Sequence, residues 1–329
     1  MKIHRAVSDA YRVVEAGESL PEGLAYELAE LVGEDVLDLV SLAHKVQSRR
    51  AAGVETCSIL SARTGSCGEG CRFCAQSAHH ATGADNHELM SPAEIVERAR
   101  EAHDHGVGHF CIVTSGRGHL VSTPEFEDVC EAIEEVRAAV PRLSVCASLG
   151  ILSDETASRL ARTGIAHYNI NLQVPPGRYS ELVTDTHPVE ERMATIRRMR
   201  ARGILVCSGG ILGLGETMRE RVELAFALRA LDVEIIPLNV LIPIPGTPLA
   251  DRPLVRAMEA AKTFAVFRLV HPTRLIKFAA GRETIMKDFQ GLLMLAGANG
   301  LITGGYLTTR GRSVADDKSF VDELSLFRS

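Results

Sequence analysis

Short apolar runs alternate with longer stretches of helical period along most of the chain. Eight runs rich in Val, Ile and Leu predict strands: ETCSILS (55–61), HFCIVTS (109–115), RLSVCASL (142–149), AHYNINL (166–172), ILVCSGG (204–210), EIIPLNVLI (234–242), RLIKFAA (274–280) and GLITGG (300–305). Runs with so little alternation suit strands covered on both faces, as in parallel sheets. The segments between them carry helix start signals. In SPAEIVERAREAHDHG, Ser91 is an N-cap, Pro92 stands at the first helical position, Glu94 completes a capping box and Gly106 ends the helix. STPEFEDVCEAIEEV starts similarly with Pro124, and further helices are predicted from near Asp154, Pro188, Glu216, Pro253 and Glu283. Eight strand–helix units predict an α/β fold, a closed (βα)8 TIM-type barrel over residues 51–329. A doubly wound open sheet is the alternative, because periodicity alone does not show closure. Residues 1–50 read as helical and polar-faced, ending at HKVQSRR and the break AAG, and predict an N-terminal helical cap. The charged end RGRSVADDKSFVDELSLFRS predicts a last helix or a mobile tail.

Composition narrows the function. The chain has 329 residues, 46% of them hydrophobic, enough for one large barrel. A net charge of −6, no Trp and only 5% aromatic residues argue against a nucleic-acid surface or base-stacking platform. No uninterrupted apolar stretch approaches the ~18 residues of a membrane span, and the first twenty residues lack an apolar core of the secretory type. A cytoplasmic, reducing setting follows as an expectation, in which eight cysteines serve metal or redox chemistry rather than disulfides.

Three of those cysteines, Cys67, Cys71 and Cys74, lie in TGSCGEGCRFCAQS directly after the first predicted strand, with spacing C-x3-C-x2-C. In a barrel this loop belongs to the C-terminal face, where active sites are built. Gly65, Gly68 and Gly70 let it wrap tightly enough for three thiolates to converge. Three cysteines on an iron–sulfur cubane leave one iron open to an outside ligand. A zinc loop with a distant fourth ligand, or a ferredoxin-like carrier, are the competing uses. Cys111, Cys146 and Cys207 fall inside predicted strands two, three and five, where inward side chains converge in layers and could hold a second metal centre. Cys130 sits with Phe126, Val129 and Ile133 at helical spacing and reads as core. His79 and His80 read as part of a solvated loop.

The cysteine loop, with Phe73 before its last Cys, resembles the radical S-adenosylmethionine (SAM) enzymes. Together with YNINL, VCSGGILGLGET, GTPLAD (246–251), AAGRE and LTTRGR, it resembles the biotin synthase family in particular, from residue 50 to 328. That resemblance implies a [4Fe–4S] cluster on Cys67, Cys71 and Cys74 whose open iron SAM chelates, and cleavage of SAM to a 5′-deoxyadenosyl radical. It implies sulfur insertion into dethiobiotin from an auxiliary iron–sulfur cluster held by Cys111, Cys146 and Cys207. It further implies that Arg192 pairs with the SAM carboxylate, that Asn169, Asn171 and Gln173 line the cofactor site, and that Asn171 contacts SAM ribose or dethiobiotin. Asn239 is assigned to the ureido ring, whose donors and acceptors an amide can match. A low-potential donor of flavodoxin or ferredoxin type and a homodimer belong to the same expectation, as does the absence of nucleic-acid and membrane partners.

This chain departs from that family pattern chiefly around one place. The arginine ligand of a [2Fe–2S] auxiliary cluster, five residues before Arg282, is Lys277, which lacks the delocalised guanidinium. Serines usual in strands one, six and eight are Cys57, Ile235 and Gly300. Gly300 opens space, and Cys57 completes a four-cysteine set with Cys111, Cys146 and Cys207. Four thiolates are the usual ligand count of a four-iron cluster. The expectation is therefore a four-iron auxiliary cluster, with an extra sulfide as the sulfur inserted and Lys277 neutralising or hydrogen-bonding it. The ribose-contacting Asp of the family is Gln173, which can hydrogen-bond but carries no charge.

Overall fold

The computed structural model describes residues 2–51, 53–304 and 312–327. Eight parallel strands form the barrel: β1 (Glu55–Arg63), β2 (His109–Thr114), β3 (Ser144–Ser148), β4 (His167–Asn169), β5 (Leu205–Cys207), β6 (Ile235–Val240), β7 (Leu275–Phe278) and β8 (Gly300–Ile302). Each pairs with the next, and β8 returns to β1 through Glu55↔Gly300 and Cys57↔Ile302. The sheet is closed, and the open doubly wound alternative is excluded.

Sequence and structure agree on where most elements begin. The helix Pro92–Asp104 carries the full Ser91/Glu94 capping box, and Pro124–Ala139 opens behind Thr123 with Pro124 in its first turn. Cys130 is buried on that second helix beside Phe126, Val129 and Ile133. The helices predicted near Asp154, Pro188 and Glu216 are Asp154–Arg162, Val189–Ala201 and Met218–Ala230.

Three stretches differ from expectation. The fifth run splits into β5 and a short strand Gly210–Leu212, because a side chain at Gly209 would strike the Pro237 carbonyl and one at Gly210 the Gln173 carbonyl. Close backbone approach there demands glycine. The helix expected at Pro253 starts later, as Ala257–Val270. Glu283 lies in a π turn, Arg282–Met286, wound around the buried Arg282 guanidinium, which reaches Gln290 Oε1 at 2.7 Å and Asp317 Oδ2 at 2.8 Å. Asp317 belongs to the terminal helix Val314–Ser325, so this ion pair holds that helix to the loop after β7. Most of the LTTRGR stretch lies outside the described residues.

Residues ahead of the barrel form three helices, α1 (Arg5–Glu15), α2 (Glu22–Ala29) and α3 (Asp35–Arg50). The buried face of α3 carries Val36, Leu39, Leu42, Ala43 and Val46, and it packs on the helix Ala257–Val270. Among the described residues no helix is long and apolar enough to cross a membrane.

Candidate active site

A parallel strand sends alternate side chains to opposite faces. In this barrel the inward set is Cys57, Ile59, Cys111, Val113, Cys146, Ser148, His167, Asn169, Cys207, Pro237, Asn239, Lys277 and Ile302, nearly all lining one cavity of about 280 Å³. The outward set, including Phe110, Ile112, Tyr168, Ile236, Ile276 and Phe278, is buried beneath the helices. Register brings the deep thiols together: Cys111 pairs with Cys146, and Cys57 stands two residues before Ile59, the residue paired with Cys111, and so on the same face. Cys57, Cys111 and Cys146 form a cluster of their own within the core, and Cys207 enters from β5.

Lys277 faces these four thiols at 2% exposure, and among the described residues it makes no ion pair with a carboxylate. Burial opposes its charge, yet the thiols, Cys57 first and then Cys207, Cys146 and Cys111, hold its pKa above the ordinary lysine range. The reciprocal effect is on Cys57, which the hydrogen bond from Cys146 and then Lys277 bring down to about 6, whereas burial pushes Cys146 well up and Cys207 to about 12. A buried ammonium surrounded by sulfur is suited to balancing an anionic thiolate-held centre. Gly300 makes room for it: a Cβ there would come within 2.9 Å of Lys277 Cγ and 3.0 Å of Leu275 Cδ1.

Above the thiols sits the cysteine loop. Cys67 N–H donates to Gln76 O at 3.1 Å, Ala78 N–H to Cys67 O at 2.8 Å and Cys74 N–H to Cys71 O at 3.0 Å, closing the loop on itself. The two histidines lie in a solvent-accessible stretch, His79 exposed and His80 half-buried, and they also brace the loop: His79 Nε2 donates to Gly68 O at 3.0 Å and His80 Nδ1 to Cys74 O at 2.9 Å. Burial drives the Cys71 thiol up to about 12 and raises Cys74 as well. Thiols so placed stay protonated unless a metal takes the proton's place. Among the described residues no three His, Cys, Asp or Glu side chains converge closely enough to hold a single metal ion. A cluster several ångströms across takes its thiolates from farther apart, which suits both thiol groups better than one zinc does.

The polar side chains between the two groups are already partly engaged. Asn169 Nδ2 donates to Cys207 Sγ at 3.2 Å while its Oδ1 accepts from Ser148 Oγ at 3.2 Å, turning this residue toward the deep thiols. Asn171 Oδ1 accepts from Gly209 N–H at 2.9 Å, leaving its amide nitrogen for a ligand. Asn239 donates to Gly210 O at 3.0 Å and accepts from Ala280 N–H at 3.1 Å, so one N–H and one lone pair remain. Gln173 holds a left-handed backbone (φ 72°), unusual outside glycine, and its buried Oε1 has no hydrogen-bond partner among the described residues. Arg192, from the helix Val189–Ala201, donates to Asn171 O at 3.0 Å and to Tyr179 Oη at 2.6 Å. Tyr179, His187 and Glu69 gather around it, a group that no local pattern in the sequence singles out.

A parallel barrel with a C-x3-C-x2-C loop on its C-terminal face, above a largely apolar cavity with a few asparagines and an arginine, defines a radical SAM barrel. The family model described as the Radical SAM superfamily matches residues 62–228, and that of the Biotin and Thiamin Synthesis associated domain matches residues 237–326. The chain is 56% identical over 329 residues to a biotin synthase of Chlorobaculum tepidum and 56% over 330 residues to one of Chlorobaculum parvum, covering 99% of each chain in both cases. The chain belongs to the biotin synthase family within the radical SAM superfamily. The crystal structure of methylornithine synthase (PylB) superposes with a TM-score of 0.80 at 20% identity, covering 96% of this chain and 95% of that one. HydG, a maturase of the [FeFe]-hydrogenase, gives 0.83 at 15% identity, covering 97% of this chain and 74% of that one. At those identities the likeness is one of fold. Membership of the superfamily implies SAM and a [4Fe–4S] cluster as cofactors.

Proposed function

We propose that this chain is an enzyme converting dethiobiotin to biotin by radical SAM sulfur insertion, drawing the sulfur from an auxiliary four-iron cluster. The observation that carries this reading is the single cavity with Phe73, Cys74 and Arg192 at one end and Cys57, Cys111, Cys207 and Lys277 at the other. A substrate lying between them touches both. Cys67, Cys71 and Cys74 would hold the SAM-binding [4Fe–4S] cluster, and Cys57, Cys111, Cys146 and Cys207 the auxiliary one. With SAM bound, the first cluster would supply radical chemistry for removing substrate hydrogen, and the auxiliary one would be the source of the sulfur.

The chain's own residues bind, orient and exclude water. Arg192 offers a planar fork to the SAM carboxylate. The free nitrogen of Asn171 and the neutral amide of Gln173 face the ribose side. Asn239 presents its remaining donor and acceptor to the ureido ring, and Asn169 acts on the Cys207 sulfur as well as lining the cofactor site. Ile59, Val113, Val240, Ile242 and Ile302 form an apolar wall that keeps solvent from a reactive carbon. Lys277 offsets the negative charge of the deep thiolates. Residues 1–50 act as a cap on one barrel domain, 51–329; a homodimer in the cytoplasm served by a flavodoxin- or ferredoxin-type donor completes the reading.

The test is growth on dethiobiotin of a biotin auxotroph lacking its own synthase, with 5′-deoxyadenosine measured in parallel. Rescue is expected. Failure to rescue with SAM cleavage intact would point to a related radical SAM barrel acting on another substrate. Iron and sulfide analysis with Mössbauer spectroscopy addresses the second cluster: Cys57→Ser should lose the auxiliary four-iron signal and keep the loop cluster. A [2Fe–2S] signal in the wild type, unaltered in Cys57→Ser, would sink the four-iron assignment.

A further inference from the structure

A hydrogen-bonded chain, buried at its centre, runs from inside the cysteine loop to Arg192. Glu69 lies between Cys67 and Cys71, and its Oε2 accepts from His187 Nδ1 at 2.6 Å and from the Thr186 hydroxyl. The opposite nitrogen of the same ring, Nε2, accepts from Tyr179 Oη at 2.9 Å and stands 3.3 Å from the donor Arg192 Nη2. The partners fix the tautomer: Nδ1 faces a carboxylate and carries the proton, while Nε2 faces only donors and is bare. Burial first, and Arg192 alongside, lower the pKa of this imidazole against the opposing pull of Glu69. His187 and Tyr179 are 3% and 1% exposed. The loop is also docked on the same segment through its backbone, Arg72 N–H donating to Val183 O at 2.9 Å.

We propose that Glu69, His187 and Tyr179 are positioning residues, a relay that aims the Arg192 guanidinium at the SAM carboxylate and ties that aim to the cysteine loop. An arginine on a helix samples many rotamers, and fixing one before the ligand arrives removes that entropy cost from binding. The geometry fixes it fully. Nε is held by Tyr179, Nη2 by His187 and Nη1 by Asn171 O, so of five N–H donors one remains on each terminal nitrogen, a pair suited to a carboxylate. Because Glu69 belongs to the loop that carries the thiols, the arginine and the cluster share one rigid frame. This inference rests on the reading of Arg192 given above.

The experiment uses the full-length protein, reconstituted with iron and sulfide without oxygen, and measures the SAM dissociation constant, the change in the reduced-cluster EPR spectrum on adding SAM, and iron per chain. His187→Gln and Tyr179→Phe should each weaken SAM binding ~10-fold. Iron content and the KM for dethiobiotin should stay within about twofold of wild type. Tyr179→Phe combined with Arg192→Lys should bind SAM no more weakly than Arg192→Lys alone, since the relay acts only through that arginine. Unchanged SAM affinity in both single variants, additive losses in the double variant, or loss of loop iron in either would overturn the relay. Wild-type affinity in Arg192→Lys would instead remove the reading of Arg192 on which the relay stands. Absence of any SAM cleavage in the wild type would remove the proposed function itself.

Discussion

Lys277 and Gly300 are neighbours across the β7–β8 ladder, and each accounts for the other. A lysine stem crossing the barrel floor needs the volume that a Cβ on Gly300 would fill, 2.9 Å from its Cγ. Gly300→Ala should therefore crowd the deep thiols and destabilise the fold by about 1–3 kcal/mol, the usual range for overpacking. A urea midpoint indistinguishable from wild type would show that the floor has slack. This pairing was legible in the sequence, because both departures stand near four cysteines in predicted strands. The relay behind Arg192 was not: Glu69 and His187 are 118 residues apart and meet only through the folded barrel. Nor could spacing show that Asn239 and Asn171 spend part of their hydrogen-bonding capacity on the backbone, or that Asn169 turns to Cys207.

The elements themselves were readable wherever a local signal fixed them. Capping boxes at Ser91, Ser153 and Thr217 are self-contained, two residues satisfying each other's backbone at a helix start. The stretch after β7 was unreadable because its π turn answers to Asp317, which lies beyond the next strand and helix. A second element-level contact makes a pH prediction. At the end of the helix Ala257–Val270, His271 is fully packed, its Nε2 donating to Ala225 O at 2.9 Å, and burial presses its pKa from 6.5 to about 3. Below the ordinary histidine range the unfolded ring gains a proton that the folded ring refuses. The unfolded state then binds more protons, and stability falls as pH drops from about 6.5 towards 3. Between pH 7.5 and 5 this ring accounts for about 2 kcal/mol of loss. Urea midpoints of His271→Gln should fall less than those of wild type across that interval; parallel declines would assign the acid sensitivity elsewhere.

At the scale of the whole molecule, barrel closure and the cap solve one packing problem. The helix Ala257–Val270 is buried almost all round, including Ala260, Ala261, Phe264, Phe267 and Leu269, so it needs cover on its outer side as well as the barrel beneath. α3 supplies that cover, and polar ties secure it: Gln47 Nε2 donates to Ala298 O at 2.9 Å and Lys262 Nζ to Leu31 O at 3.0 Å. The polar outer face of residues 1–50 was plain in the sequence, but the partner of their apolar face was not, since it lies two hundred residues away (|i−j| = 231 for the Lys262 tie). Burying Val36, Leu39, Val40, Leu42 and Val46 is worth on the order of 10 kcal/mol. That is comparable to the whole stability of a typical domain, about 5–15 kcal/mol. A chain starting at residue 51 should consequently fail to accumulate as a folded barrel, with loss of soluble yield and of a cooperative unfolding transition. If it instead folds, unfolds cooperatively and accepts iron on both thiol groups, the cap is a dispensable appendage and the barrel's outer helix is stable uncovered.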